Sequence, residues 1–264
     1  MQLSSYNRLI CLLLFSLIAY EGNIRATVKV SVVHLMGEVE PRMYTSFLQQ
    51  LKAACIDKKT QAILINADSG GGELYQPFLK AIAACNLHKH VWILALSKCL
   101  SACYYTSAGA HRIIASPLAM IGSIGVRYDR EYLHAARISY DNVDFTLAVK
   151  TFFKGKDNFD VSKFEPISDH EQEIRNKLLQ EFYDNFIAYV RQHRPQLKDK
   201  EPSEWADAKI FSSKKALQLG LIDKIGSLSD VLDEIASEFK INAHDIELIE
   251  NQQALEQLQQ SKTH

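Results

Sequence analysis

No block of basic residues and no acidic tail interrupts this 264-residue chain, and 30 Lys and Arg against 31 Asp and Glu leave a formal net charge of −1. A partner that presents phosphates calls for a basic surface, so the balance argues against nucleic acid as the main partner. There is no fixed-period repeat and no low-complexity tract, although the stretch from Asn251 to His264 is Gln-rich and polar and is expected to fray. No Cys-x-x-Cys pair occurs among the five cysteines, Cys11, Cys55, Cys85, Cys99 and Cys103, so their spacing offers no zinc site. Their number is odd, and they read as small buried hydrophobes. Walker and dinucleotide fingerprints are missing as well. No metal and no organic cofactor is expected.

Long hydrophobic runs are scarce. One stretch, Leu9 to Tyr20, is broken only by Ser16 and follows Arg8. A membrane span needs about 20 apolar residues, so this run suits the apolar part of a secretory signal or a marginal anchor. The alternative is a buried first strand or helix. No convincing small-x-small cleavage site follows it, and positive charge ahead of it places the N-terminus in the cytoplasm and the rest outside. A second segment long enough to span is lacking, so the body reads as a soluble domain. The division expected is a leader or anchor over 1–26, one domain over 27–240 and a polar C-terminal extension over 241–264.

What is present alternates between strand and helix. Val28 to Leu35 and Ala62 to Asn66 are β-branched and apolar, and Val91 to Leu96 and Arg112 to Ala115 are further strands. Between them, Pro41 to Cys55 carries Phe47, Leu48 and Leu51 at helical spacing, and a helix is expected from about Leu74 to Leu87. Another should start near Ser101. The alternation predicts an α/β fold with a parallel sheet and right-handed crossovers. Later, Val143 to Val149 reads as a strand, and Ser168 to Arg194 as one long helix opened by a Ser168/Glu171 capping box and stopped by Pro195. Ile174, Leu178, Phe182, Phe186 and Val190 form an apolar stripe along it. Trp205 to Gly226 is compact, with turns at Gly220 and Gly226, and Leu228 to Phe239 is a final helix.

Three features carry chemistry. Ser69-Gly70-Gly71-Gly72 follows a strand, and glycines there let backbone amides reach a ligand or stabilise an oxyanion. The bland alternative is a plain turn. Ser101 lies between a strand and a helix, where free amides and the helix dipole suit a nucleophile, although position alone favours a plain N-cap. Lys150, Lys154 and Lys156 cluster downstream; a lysine activates a serine if burial lowers its pKa, whereas most lysine clusters are solvated.

The blocks Ile65–Gly72 (INADSGGG), Ser97–Val126 (SKCLSACYYTSAGAHRIIASPLAMIGSIGV) and Trp205–Leu228 (WADAKIFSSKKALQLGLIDKIGSL) together resemble the signal peptide peptidase A family of serine peptidases, in order and in spacing. The resemblance covers nearly all of Val28 to Ile235. It implies a ClpP/crotonase-like fold, a spiral of ββα units with a long helix and a C-terminal α/β extension. It implies Ser101 as nucleophile and an oxyanion hole from Gly71 or Gly72 with the Ala102 amide. Lys156 is implied as the base through its Lys-Asp pair, or else Lys154 through the preceding aromatic residue. Family members are membrane-associated oligomers that degrade signal-peptide remnants and other hydrophobic or unfolded peptides. In half-length members the lysine comes from a neighbouring subunit. The location implied is the bacterial inner membrane, with the catalytic domain on the periplasmic side, or secretion if the leader is cleaved. Two departures stand out: Gly70 replaces a proline, and Ala102-Cys103 replaces Gly-Gly. They leave open an inactive peptide-binding scaffold. Crotonase-type acyl-CoA chemistry and a Cys103 nucleophile are further alternatives.

Overall fold

A computed structural model describes residues 27–73, 75–127, 138–140, 143–145 and 169–250. The leader, the lysine segment and the Gln-rich tail lie outside these residues. The β-branched runs form strands β1 (Val28–Val39), β2 (Ala62–Gly72), β3 (Val91–Leu100) and β4 (Arg112–Ala115). Together with β9 (Lys224–Ile225) and β10 (Ile246–Glu250) they make a parallel sheet in the order β10-β1-β2-β3-β4-β9.

The three central strands are long; their mutual register shifts along their length, and β3 also changes partner. The β1–β2 register shifts between Met36 and Glu38, and the β2–β3 register between Ala67 and Ser69. β3 pairs with β4 over Trp92 to Ala95, and then with β5 (Met120–Gly122) over Lys98 to Leu100. β5 in turn pairs antiparallel with β8 (Ile210–Ser212). The sheet thus turns a corner at the carboxyl ends of β2 and β3, as bulged strands do. A separate hairpin joins β6 (Ile138–Tyr140) and β7 (Val143–Phe145).

Alternation along the strands buries both faces. On one, Val33, Leu35, Ile63, Ile65, Ile93 and Ile113 pack under α1 (Pro41–Ile56), α2 (Gln76–Leu79), α3 (Ala81–Asn86) and α4 (Ala102–Ala108). On the other, Val30, Leu64, Trp92, Leu94 and Ile114 meet Val231 and Ile235. Those two belong to α8 (Leu228–Phe239), the last of a series begun by α5 (Asp169–His193), α6 (Pro202–Trp205) and α7 (Ser213–Leu219). Each fully buried aliphatic or aromatic side chain contributes about 1.5–3 kcal/mol.

Three expectations change. The glycines 70–72 are the last three residues of β2 rather than a turn, because Gly71 and Gly72 stay in register with Glu38 and Val39 of β1. The helix expected over 74–87 is two short ones joined at Lys80. Of the stripe on α5, Phe186 and Val190 enter the core, while Phe182 is 41% exposed. No helix among the described residues is long and apolar enough to cross a membrane.

Candidate active site

In a parallel sheet the carboxyl ends of the strands gather loops and helix N-termini, and ligands bind there. β3 ends at Leu100 and α4 begins at Ala102, so Ser101 alone forms the junction. Its backbone sits at φ 52° and ψ −121°, a conformation that L-residues rarely adopt. Although Ser101 occupies the N-cap position, its hydroxyl makes no capping hydrogen bond, so the N-cap reading does not account for this serine. Ser101 is half-buried, while Ala102 behind it is wholly buried. The Ala102 methyl therefore lies in the core, and the change from glycine at this position leaves the front of the turn open.

Backbone contacts fix the junction from three sides. The Ser101 amide donates to the Gly122 carbonyl at 2.8 Å, and Tyr105 donates back to the Ser101 carbonyl at 2.8 Å. The Ala102 amide opens the helix, so no carbonyl four residues earlier lies within the helix to accept from it. Gly71 presses on the junction from β2. A Cβ there would stand 2.6 Å from Ser101 Cβ, 2.7 Å from the Leu100 carbonyl oxygen and 3.1 Å from the Ala102 nitrogen. With φ at +94°, only glycine fits without strain.

The other residues picked from the sequence divide. Gly71 and Ala102 meet at Ser101, whereas Gly72 makes its close approach to Val39 of β1. The Gly71 amide is already bonded to Ser69 Oγ at 3.1 Å. Lys154 and Lys156 lie outside the described residues. Among the described residues, no hydrogen bond joins the Ser101 hydroxyl to a base. Cys103 is wholly buried. Burial, then its contact with Cys99, pushes its thiol well above the usual range, so it does not serve as a surface nucleophile.

Sequence reasoning noted the Gly122–Val126 block but missed its task. Gly122 lies at φ +115°, and a Cβ there would stand 2.7 Å from the Lys209 carbonyl oxygen. The close approach lets Ser123 donate to that same oxygen at 2.7 Å while Gly122 accepts from Ser101. The glycine pattern itself was the signal. Beyond this block, Gly125 and Val126 border a groove of about 370 Å³ shared with Leu179, Tyr183 and Asp207. Ser101 does not line it.

A cluster of possible metal ligands lies elsewhere. His90, His111 and Glu238 bring ligand atoms within 4.8 Å of one another, at the amino ends of β3 and β4.

Comparison with known proteins fits this geometry. The sequence pattern of Peptidase family S49 matches residues 72–242. A Methanocaldococcus jannaschii protein, MJ0651, provisionally named a protease, is 28% identical over 198 residues, covering 74% of this chain and 61% of its own length. An Enterococcus faecium protein, provisionally named signal peptide peptidase SppA, is 27% identical over 203 residues, covering 75% of this chain and 57% of its own length. The chain thus spans about three fifths of these relatives. Among solved structures, a mutant of the 1510-N membrane-bound stomatin-specific protease in complex with a substrate peptide superposes with a TM-score of 0.52 at 18% identity. That match covers 86% of this chain and 93% of the other. The fold is the ClpP-like α/β type that the sequence blocks imply.

Proposed function

We propose that this chain, which belongs to peptidase family S49, cuts peptide bonds with a Ser–Lys dyad in which Ser101 is the nucleophile. One observation carries the reading. Ser101 stands at positive φ on the end of β3, and its hydroxyl leaves the helix uncapped. A residue held in a costly conformation without a local hydrogen bond is a feature of functional sites.

The chemistry follows from the surroundings. Ser101 Oγ attacks the scissile carbonyl, and a neutral lysine takes its proton. The Ala102 amide holds the developing oxyanion, with Gly72 or Gly71 as second donor. Of these two, Gly71 lies against Ser101, whereas Gly72 approaches Val39 of β1. The lysine returns the proton to the leaving amine, and water then hydrolyses the acyl-enzyme. Lys156 is the first choice of base and Lys154 the second. A free lysine has a pKa of about 10.4, so the base must be desolvated; a subunit interface that brings Phe152, Phe153 and Phe159 around it would do so.

The substrates are hydrophobic or unfolded peptides, signal-peptide remnants among them. A structural neighbour captured with a substrate peptide supports the peptide class. The apolar run after Arg8 supports a location at the bacterial inner membrane with this domain on the outer side, and the family resemblance supports assembly as a homo-oligomer. The test is hydrolysis of an unfolded protein by the wild type and by Ser101→Ala. Turnover should fall by at least about 10⁴-fold. Unchanged turnover would remove Ser101 from the mechanism. Lys156→Met and Lys154→Met then assign the base: one should abolish hydrolysis and the other should not.

A further inference from the structure

Ser101 stands midway between two cysteines. Cys99 is the penultimate residue of β3 and Cys103 the second residue of α4. Both are wholly buried, and their sulfurs are 2.7 Å apart. Non-bonded heavy atoms rest about 3.5–4.0 Å apart, and a disulfide spans about 2.05 Å. The two thiols are therefore pressed inside non-bonded contact, across the one residue that carries the nucleophilic hydroxyl. The Cys99 sulfur also lies 3.4 Å from Ser107 Oγ.

We propose that Cys99 and Cys103 are joined by a disulfide in the mature protein, closing a covalent ring around Ser101. The ring ties the end of β3 to the first turn of α4. It holds the positive φ of Ser101, which no side-chain cap secures. Its formation is a thiol–disulfide exchange with an external disulfide, such as an oxidised dithiol oxidoreductase or glutathione disulfide. One cysteine thiolate attacks that disulfide, forming a mixed disulfide and releasing one thiol. The second thiolate attacks the bound sulfur, forms the Cys99–Cys103 bond and releases the other thiol. Two electrons and two protons thus leave the cysteines and reduce the external disulfide. The exchange takes place as the chain folds, because burial afterwards keeps Cys103 a neutral thiol. Oxidising surroundings outside the cytoplasm supply the partner.

The bond itself rests on the sulfur geometry; its effect on turnover rests on the reading of Ser101 as nucleophile. Both are decided by refolding the full chain in mild detergent, once with glutathione disulfide and once with dithiothreitol. Free thiols are then blocked with a maleimide under denaturing conditions. Trypsin releases both cysteines in one peptide, Cys99 to Arg112, between Lys98 and the next basic residue. After oxidative refolding this peptide should carry no maleimide and weigh two hydrogens less than its reduced form. After dithiothreitol it should carry two maleimides. Two maleimides in both arms, glutathione adducts, or a bridge from either cysteine to another residue would overturn the proposal. The dithiothreitol arm should show kcat lower by about tenfold with KM unchanged, as loosened positioning predicts. Equal kcat in the two arms would overturn the positioning role. If neither arm hydrolyses peptides, the reading of Ser101 has failed, and the peptide masses still decide the bond.

Discussion

The two ends of the parallel sheet are built on opposite terms. At the carboxyl ends of β2 and β3, Ser101 and Gly71 hold positive φ, and the serine hydroxyl caps nothing. At the amino ends of β3 and β4, charged groups are matched. Arg194 forms a two-bond pair with Asp223 at 2.9 Å each, and Asp223 also accepts from the Ile113 amide at 2.8 Å. Arg112 reaches Asp223 and Glu234, while His90 and His111 stack with Glu238 beside them. One end stores strain beside a helix N-terminus that its serine leaves uncapped, and the other pairs its charged groups and anchors α8 and the end of α5. Strain at Ser101 persists because the structure around it, Gly71 on one side and the Gly122 carbonyl on the other, over-determines its backbone.

Breaking the matched end should have the largest effect on stability. Asp223→Ala leaves the Arg194 guanidinium buried, since Arg194 is 3% exposed. Removing one partner of a buried pair costs about 3–5 kcal/mol, and urea unfolding should show that loss. A cost below about 1 kcal/mol, the value of a surface pair, would mean that this end does not anchor the fold.

At the strained end, Gly71→Ala drives a methyl into Ser101 and the Leu100 carbonyl. Overpacking of this kind costs about 1–3 kcal/mol. The displaced serine should lower turnover by about 10²-fold. Kinetics matching the wild type would show that the contact between β2 and the nucleophile does not position it.

Ser101→Gly sharpens the contrast from the other side. It removes the hydroxyl and relieves the positive φ. Hydrolysis should vanish while stability rises by about 1 kcal/mol, read as a higher urea midpoint. A drop of similar size would mean that the serine contributes a local bond to the fold.

The smallest effect is a pH dependence at His111. Burial, then His90 and Arg112, hold its pKa below the ordinary 6.5, while Glu238 and Asp223 act in the opposite direction. The folded state therefore resists protonation that the unfolded chain accepts. The stability this contributes is present above the unfolded pKa and is lost as pH falls below it, through the lower folded value. Between about pH 7 and pH 5 the urea midpoint should fall more steeply in the wild type than in His111→Gln. Parallel slopes would contradict this account of the pair.

Much of this was legible in the sequence, for reasons that differ between regions. The runs at Val28, Ala62, Val91 and Arg112 announced buried parallel strands, and the capped helix over Leu228–Phe239 was read to the residue. Glycine was misleading at 70–72. It signals turns in general, yet here it lets β2 approach β1 and Ser101 closely. The pairing of β5 with β8 joins two three-residue strands some ninety positions apart, too short for any period to show. That Ser101 fails to cap its helix is a matter of its own dihedral angles, which residue type does not encode. The Arg194–Asp223 pair likewise arises from tertiary placement, since charged residues ordinarily read as surface.

The most direct test of the central claim is labelling by a serine-reactive fluorophosphonate, followed by mass mapping of the tryptic peptide Cys99 to Arg112. An activated serine reacts with the probe, whereas an ordinary N-cap serine does not. One adduct is expected, on Ser101, in the folded wild type, and none after unfolding or in Ser101→Ala. An adduct on a different residue, or a folded chain that hydrolyses peptides while Ser101 stays unlabelled, would contradict it.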